Sequence, residues 1–399
     1  MLGNLQIFLF IAASSFTVIL SLNLPATDQQ RKSAEGIFIK VNGTQFVKDN
    51  QPFYINGLNA YWLMSMASEP TEKEKVSIAL HQASLLGANV VRTWAFSDAD
   101  DYFPLQTSPG FYNEKMFKGL DFVISEAKKN GLLLILSLVN NNEEFGGKEQ
   151  YVQWAREKGQ PISSSDDFFT NDLVKRFYKH HVKTILMRKN SISEIHYRDD
   201  PTILAWELIN EPRCNKDISG DTLQAWIEEM SSYVKTIDNN HLLEIGLEGF
   251  YGDSIADRKQ FNPGNNGVGT DFISNNLVPG IDFATIHIYP EQWIPRSNLM
   301  DQLVFLQSWI HSHIRDSDKI LNKPLLITEF GRSIYSYIYA SAKEGGAGAG
   351  SLFWQLLVHG QDDLRDGYEV IISETPSLAF IVYHQSQRLL TLSNAYAIT

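Results

Sequence analysis

The feature that most constrains the fold is a regular alternation of short β-rich runs with amphipathic helical patterns along most of the 399 residues. Alternation of this kind predicts parallel strands joined by right-handed helical crossovers. Eight units of strand and helix indicate a closed (β/α)8 TIM barrel and not an open doubly wound sheet. The eight runs lie at 53–59, 90–96, 132–140, 203–211, 242–250, 283–290, 324–331 and 348–356.

The helical patterns between the runs have recognisable ends. Thr71 and Glu74 have the spacing of a capping box, and Gly87 is placed to end the helix that follows them. A second pattern covers 113–129 and stops at Asn130-Gly131. Helices with one apolar face are what the outer layer of a barrel needs.

Two segments precede the barrel. Residues 36–52 alternate apolar and polar side chains around an Asn42-Gly43 turn, which predicts an N-terminal β-hairpin. Residues 5–24 form an apolar run that is typical of a secretory signal peptide, with an uncleaved membrane anchor and a core element as the alternatives. We therefore expect a signal peptide at 1–26, a single catalytic domain at 27–399, and a secreted, extracellular protein.

Composition excludes several classes of protein. The chain has 34 Lys and Arg against 46 Asp and Glu, so it has no basic surplus for nucleic acid. Its one cysteine can form neither an internal disulfide nor a cysteine zinc site. No glycine fingerprint follows the first strand, which argues against a dinucleotide. We expect no metal, no cofactor, no nucleic-acid partner and, once the leader is removed, no membrane partner.

Candidate functional residues lie where the predicted strands end, because active sites of these barrels occupy that face. The fourth run ends in Asn210-Glu211 and the seventh contains Glu329 near its end. Two carboxyl groups converging from different strands can cleave a glycosidic bond, one as the acid and the other as the nucleophile or base. The alternative is that each glutamate is a solvated charge on the rim. Other strand ends favour a sugar site because they carry Arg92, Trp94, His287, Tyr289 and Trp354.

Five segments at these strand ends point to a known family. They are VVRTWAF (90–96), AWELINEPRC (205–214), ATIHIYPEQW (284–293), LLITEFG (325–331) and GAGSLFWQLL (348–357). Together they resemble plant endo-β-1,4-mannanases of glycoside hydrolase family five, and the resemblance runs from about residue 36 to about 388. Asn-Glu-Pro at the fourth strand with Thr-Glu-Phe-Gly at the seventh is a specific combination.

The resemblance implies a retaining mechanism with Glu211 as the general acid/base and Glu329 as the nucleophile. We then expect the two carboxyl groups to lie about 5–5.5 Å apart. Arg92 is expected to hold Glu329 ionised through a charge-assisted hydrogen bond, with an interior ion pair to Glu207 as the alternative. Asn210 is expected to bind the sugar 2-hydroxyl, with a polar cap at the strand end as the alternative.

The remaining candidates are aromatic or histidine side chains. Tyr289 is expected to hydrogen-bond the nucleophile, and His287 to line the same wall or to be a core histidine. Trp354 is expected to stack under the sugar at the cleavage point, with core packing as its alternative. Four tryptophans are candidates for outer subsites or for packing: Trp62, Trp94, Trp154 and Trp293.

One departure from the family pattern lies beside the predicted nucleophile. Residues 332–347, between the seventh and eighth runs, are fewer than family members usually have there. The barrel can still close, but the loop after the seventh strand is lost.

The sequence thus predicts a secreted mannanase acting on mannan-type polysaccharide of the plant cell wall. A β-1,4-glucanase and a catalytically impaired polysaccharide-binding relative are the alternatives.

Overall fold

The chain enters the fold through three short antiparallel strands, β1 (Lys40–Asn42), β2 (Gln45–Lys48) and β3 (Gln51–Pro52). A computed structural model describes residues 36–99, 103–331 and 334–396. Asn42 pairs with Gln45 across a turn in which Gly43 has a φ of +57°. The predicted hairpin is therefore confirmed, and β3 extends it by one strand.

Eight parallel strands form the central sheet, as the sequence predicts. The last barrel strand of the chain pairs with the first. Each predicted run contains one strand, and the sheet is nearly closed into a barrel. A separate hairpin, β6 (Gln106–Ser108) and β7 (Phe111–Tyr112), follows the second barrel strand. The barrel strands are β4 (Ile55–Asn59), β5 (Val90–Trp94), β8 (Leu133–Ser137), β9 (Ile203–Glu207), β10 (Leu242–Glu244), β11 (Ala284–Ile288), β12 (Leu325–Phe330) and β13 (Gly348–Phe353). Their order in the sheet is β10-β9-β8-β5-β4-β13-β12-β11.

Helices cover the outside of the sheet. The α-helices of the described residues are α1 (Leu63–Ser68), α2 (Lys73–Leu85), α3 (Glu114–Lys129), α4 (Gly147–Glu157), α5 (Asp172–Leu186), α6 (Asp221–Ile237), α7 (Phe272–Asn276), α8 (Pro290–Trp293), α9 (Leu299–Asp316), α10 (Tyr335–Lys343) and α11 (Pro376–Tyr396). The capping box predicted at Thr71 is wrong, because α2 begins at Lys73 after Glu72, whose side chain makes no capping bond. Asn113 does cap α3 by accepting from the backbone N–H of Lys115 at 3.0 Å.

The hydrophobic core of the described residues has two large parts and a third, small cluster of Tyr54, Ala342 and Leu389. The larger part lies between the strands and the helices, and a smaller cluster fills the interior of the barrel. Phe46 of β2 is 1% exposed and packs edge-on against Phe283, with ring centroids 5.1 Å apart. The N-terminal strands thus contribute to the interior cluster at the end where the barrel strands begin, and the carboxyl ends of the strands are left for the site.

β12 and β13 pair with each other despite the short connection between them. Ile327 pairs with Ser351 of β13, and α10 returns the chain between these two strands. From Phe38 onward the described chain belongs to one compact unit. Among the described helices, none has the length and apolar character needed to cross a membrane. The predicted signal peptide at 1–26 lies outside the described residues.

Candidate active site

Arg92 on β5 is the centre of the polar network at the carboxyl end of the barrel. Its side chain has no exposure to solvent. Nη1 donates to Glu329 Oε1 at 2.7 Å and to Asn59 Oδ1 at 3.0 Å. Nε and Nη2 donate to the two carboxylate oxygens of Glu207 at 2.6 and 2.8 Å, and Nη2 also donates to Asn210 Oδ1 at 2.6 Å. Both sequence alternatives for Arg92 are therefore present at once, because one guanidinium contacts both glutamates.

Glu329 lies near the end of β12 and is held on both oxygens. Oε1 accepts from Arg92, and Oε2 accepts from the Tyr289 hydroxyl at 2.9 Å. The predicted hydrogen bond between Tyr289 and Glu329 is thus confirmed. The residue is 5% exposed, so its carboxyl group reaches the cleft while most of the side chain is enclosed. Its position is fixed from β5 and from the residue that follows β11.

Glu211 lies four residues beyond the end of β9, in a left-handed backbone conformation with a φ of +52°. A non-glycine residue in this region costs about 1–3 kcal/mol, so the surrounding structure must hold it there. Its backbone N–H donates to the Gly246 carbonyl oxygen at 2.9 Å. Oε1 lies 2.7 Å from His287 Nδ1, and Oε2 accepts from Asn142 Nδ2 at 3.3 Å.

The structure brings the two predicted catalytic glutamates together. A carboxylate oxygen of Glu211, one of Glu329 and a ring nitrogen of His287 all lie within 4.8 Å of one another. A separation of about 5–5.5 Å is typical of retaining glycosidases, whereas inverting enzymes leave about 6.5–9.5 Å for a water molecule. The spacing therefore favours direct attack by one carboxylate.

Burial raises the pKa of both glutamates. For Glu329, His287 and Arg92 act in the opposite direction but do not outweigh burial, so its pKa lies above the usual value rather than below it. The two carboxyl groups differ in their donors. Glu329 accepts from a guanidinium and a phenol, whereas Glu211 faces an amide and an imidazole whose own pKa is lowered by burial. Since hydrogen bonds from a cation favour the ionised form, this asymmetry favours a proton on Glu211 and a charge on Glu329.

These three side chains could also offer ligand atoms to a metal ion, and they are the one such group among the described residues. Their ligand atoms already bond to each other and to neighbouring donors, and Arg92 places a positive charge 2.7 Å from Glu329. The arrangement is suited to acid–base chemistry between the two carboxyl groups.

The aromatic residues form one wall of the cleft. Trp354 follows β13 and stacks on Tyr61, with ring centroids 5.6 Å apart and planes inclined by 11°. Trp94 lies 6.3 Å from both rings. The indole Nε1 of Trp354 donates to Asp366 Oδ2 at 2.6 Å. Apolar ring faces in this setting suit the C–H faces of a sugar.

The cleft has a volume of about 640 Å³. Four of the predicted substrate-binding residues line it: Trp94, Asn210, Tyr289 and Trp354. Arg92 and His287 do not line it; they lie fully buried beneath the two glutamates and contact the carboxyl groups instead. Of the tryptophans left open, Trp293 lines the cleft, whereas Trp62 and Trp154 are buried in the core.

The sequence reasoning missed several lining residues. Glu248 lies within the fifth predicted run and forms a two-bond ion pair with Arg213 at 2.6 and 2.7 Å. Inspection of the strand ends could have found Glu248. Residues 363–366 and Tyr368 form another part of the cleft wall. They lie about ten residues or more after the eighth strand, and no local sequence pattern marks them as lining residues. Asn142 and Phe145, in the connection after β8, also line the cleft.

The fold and the paired carboxyl groups define a (β/α)8 protein with the site architecture of a glycoside hydrolase. The sequence profile of GH family 5 beta-mannosidase-like proteins matches residues 36–347, and the chain belongs to this family. It is 55% identical to mannan endo-1,4-beta-mannosidase 1 of Oryza sativa subsp. japonica over 380 residues, 91% of this chain and 88% of the relative. It is 51% identical to mannan endo-1,4-beta-mannosidase 7 of Arabidopsis thaliana, with the same shares covered.

Solved structures of similar proteins agree with this assignment. The hyperthermostable endo-1,4-beta-D-mannanase of Thermotoga petrophila matches with a TM-score of 0.73 and 29% identity, over 84% of this chain and 99% of that one. The endo-1,4-beta-mannanase of Rhizomucor miehei matches with a TM-score of 0.72 and 30% identity, over 89% and 99%. The similarity therefore extends over most of the described fold.

Proposed function

We propose that this protein is a retaining endo-β-1,4-mannanase that cleaves mannan, galactomannan or glucomannan. The observation that carries the proposal is the placement of carboxylate oxygens of Glu211 and Glu329 within 4.8 Å of each other in an open cleft. The plant relatives, whose names specify mannan endo-1,4-beta-mannosidase activity, support the choice of sugar.

In the first step, the ionised Glu329 carboxylate attacks the anomeric carbon of the mannosyl unit at the cleavage point. The protonated Glu211 transfers its proton to the glycosidic oxygen as the bond from that oxygen to the anomeric carbon breaks. The leaving chain departs with a free hydroxyl group, and the sugar stays attached to Glu329 as an ester.

In the second step, the Glu211 carboxylate removes a proton from a water molecule. The water oxygen bonds to the anomeric carbon, and the ester bond to Glu329 breaks. Two inversions give net retention, and both carboxyl groups return to their starting protonation states. The raised pKa of Glu211 suits a group that must hold a proton in one step and take it back in the next.

Other side chains position the nucleophile and the sugar. Arg92 and Tyr289 hold the nucleophile, and Asn210 Nδ2 is held by Asn140 Oδ1 at 3.0 Å while its Oδ1 accepts from Arg92. This fixed amide supports its proposed bond to the sugar 2-hydroxyl. The stacked rings of Trp354 and Tyr61 supply an apolar platform for the sugar.

The same contacts argue against the catalytically impaired alternative. Glu329 keeps its bonds to Arg92 and Tyr289 although the segment after it is short. We further propose that the apolar run at 5–24 directs secretion to the cell wall, where mannan-type polysaccharides are available as substrates.

The test is release of reducing ends from galactomannan, glucomannan and cellulose by the wild type, Glu211→Gln and Glu329→Gln. Loss of the acid/base is expected to lower kcat about 10²- to 10⁴-fold, and loss of the nucleophile more than about 10⁴-fold. Glu74→Gln is the matched control, because Glu74 is exposed on α2, and its kcat is expected to be unchanged. Faster turnover of cellulose than of mannans would support the glucanase alternative. Full activity in both site variants would refute the residue assignment.

A further inference from the structure

A second pair of glutamates, Glu207 and Glu244, lies inside the barrel below the site. They are partners in register on the neighbouring parallel strands β9 and β10, so their side chains leave the sheet on the same face at the same level. Neither is exposed to solvent. Two carboxyl groups in such a position repel each other strongly when both are ionised, so their protonation states must differ or be compensated.

Arg92 donates hydrogen bonds to Glu207, whereas none of its five N–H groups donates to Glu244. A guanidinium has five N–H donors. Those of Arg92 are all used by Glu207, Glu329, Asn59 and Asn210, and Glu207 takes two of them. Burial alone would raise the pKa of Glu207, but the paired Arg92 keeps it below the usual value. Glu207 is therefore the ionised member of the pair.

Glu244 has a different environment. Its Oε2 accepts from the Gly246 backbone N–H at 2.5 Å and from the Thr285 hydroxyl at 3.1 Å. Its Oε1 receives no hydrogen bond from any residue that the structure describes. A buried carboxylate oxygen without a donor is costly, whereas a protonated oxygen is itself a donor and requires only an acceptor. Glu207, its partner in register on the neighbouring strand, presents a carboxylate that can accept this hydrogen bond.

We propose that Glu244 carries a proton at neutral pH, donates a hydrogen bond to the ionised Glu207, and acts through Glu207 and Arg92 as a positioning residue for Glu329. Burial and then the adjacent Glu207 charge raise the pKa of Glu244 well above its usual value, and Arg92 and the Gly246 N–H offset this only in part. Among the described residues, the polar and charged groups that face Glu244 are Glu207, Arg92, the Gly246 N–H and the Thr285 hydroxyl.

The proton matters because a single buried cation serves two carboxylates. Glu207 binds Nε and Nη2 of Arg92, which directs Nη1 to Glu329 and the second Nη2 hydrogen to Asn210. An ionised Glu244 would add a third negative charge without a partner and would compete for Arg92. A neutral donor at this position instead supports Glu207 without drawing Arg92 away from the site. This inference does not depend on which polysaccharide is cleaved.

The first experiment compares kcat, KM and the pH profile of Glu244→Gln, Glu244→Leu and Glu207→Gln on one soluble mannan. Glutamine is a neutral donor, so we expect it to keep kcat within about threefold and to leave the pH profile unchanged. Leucine removes the donor, and we expect kcat to fall more than about tenfold with little change in KM. Glu207→Gln removes the charge that clamps Arg92 and is expected to be at least as harmful. A glutamine variant at 244 that is as inactive as the variant at 207 would overturn the proposal, as would full activity in the leucine variant.

The second experiment needs no catalysis and remains decisive if the leucine variant fails to fold. The infrared difference spectrum of the wild type minus Glu244→Gln at neutral pH is expected to show the C=O stretch of a protonated carboxyl group. A spectrum with only carboxylate bands would overturn the proposal.

The third experiment follows stability against pH. Since the folded pKa of Glu244 is raised, its favourable contribution is complete below the unfolded glutamate value and is lost as pH rises toward the folded value. Relative to Glu244→Gln, the unfolding equilibrium constant of the wild type is expected to rise by up to about tenfold per pH unit across that window. Parallel curves for the two proteins would contradict a proton held by Glu244.

Discussion

The bond between Tyr289 and Glu329 allows a quantitative prediction about the proposed nucleophile. Tyr289→Phe removes one donor, 2.9 Å from Glu329 Oε2, and leaves the ring in place. Both side chains line the cleft but are almost completely buried, so solvent replaces the lost hydrogen bond only in part. A hydrogen bond to a charged group contributes about 1.5–3 kcal/mol. Because this bond favours the ionised carboxylate, its loss raises the pKa of Glu329 further.

At about 1.36 kcal/mol per pH unit, the loss moves the acid limb of kcat/KM upward by about 1–2 pH units. This limb reports ionisation of the nucleophile in the free enzyme. The assay is kcat/KM against pH on a soluble galactomannan, from the acid limb to the plateau. At a pH below both limbs, the variant is therefore expected to be about 10- to 100-fold slower than the wild type, because the ionised fraction of Glu329 falls about tenfold for each pH unit.

Tyr335→Phe is the matched control for this experiment. Tyr335 packs edge-on against Phe330, the residue after Glu329, with ring centroids 5.5 Å apart. Its buried hydroxyl group makes no hydrogen bond to any described residue. Removal of this hydroxyl is therefore expected to leave the acid limb unchanged. An acid limb that stays in place in Tyr289→Phe, or that moves equally in both variants, would refute the argument that the Tyr289 hydroxyl sets the ionisation of Glu329.

Two further predictions concern the wall after the eighth strand. A Cβ atom at Gly331 would lie 2.2 Å from the Tyr368 ring, which packs against Tyr289, so Gly331→Ala is expected to cost about 1–3 kcal/mol of stability and to lower kcat/KM. In a double-mutant cycle with Tyr368→Ala the two changes should not add, and additive losses would contradict a direct contact. Asp366→Ala removes the acceptor of the Trp354 indole and is expected to lower kcat/KM about threefold to tenfold, while unchanged kinetics would mean that Trp354 is held by packing alone.

Much of the fold could be predicted from local sequence patterns. Each of the eight apolar runs contains one barrel strand, because strand–helix alternation is a property of neighbouring residues. The exact ends of the strands were harder to predict from the sequence. The predicted run 203–211 extends four residues beyond the end of β9. Asn210 and Glu211 have residue types that are typical of a strand end, but the backbone there is irregular and Glu211 has a positive φ.

The site was predictable where residues lie at strand ends, and not where contacts depend on side-chain direction. Nothing in the sequence shows that His287 bonds to Glu211 or that Arg92 divides its donors between Glu207 and Glu329. These contacts join residues that are more than 70 positions apart and arise only once the barrel has closed. The wall at 363–368 was inaccessible for the same reason.

The short connection after β12 shows which part of the structure sets the catalytic geometry. A short connection next to Glu329 would displace this residue if the connection held it. The bonds to its carboxylate come instead from Arg92 on β5 and from Tyr289, which follows β11. Tyr368, from the connection after β13, covers the adjacent Gly331. Because the supports of the proposed nucleophile originate on other strands of the barrel, its position depends on the pairing of the strands, which the nine residues of α10 still allow between β12 and β13.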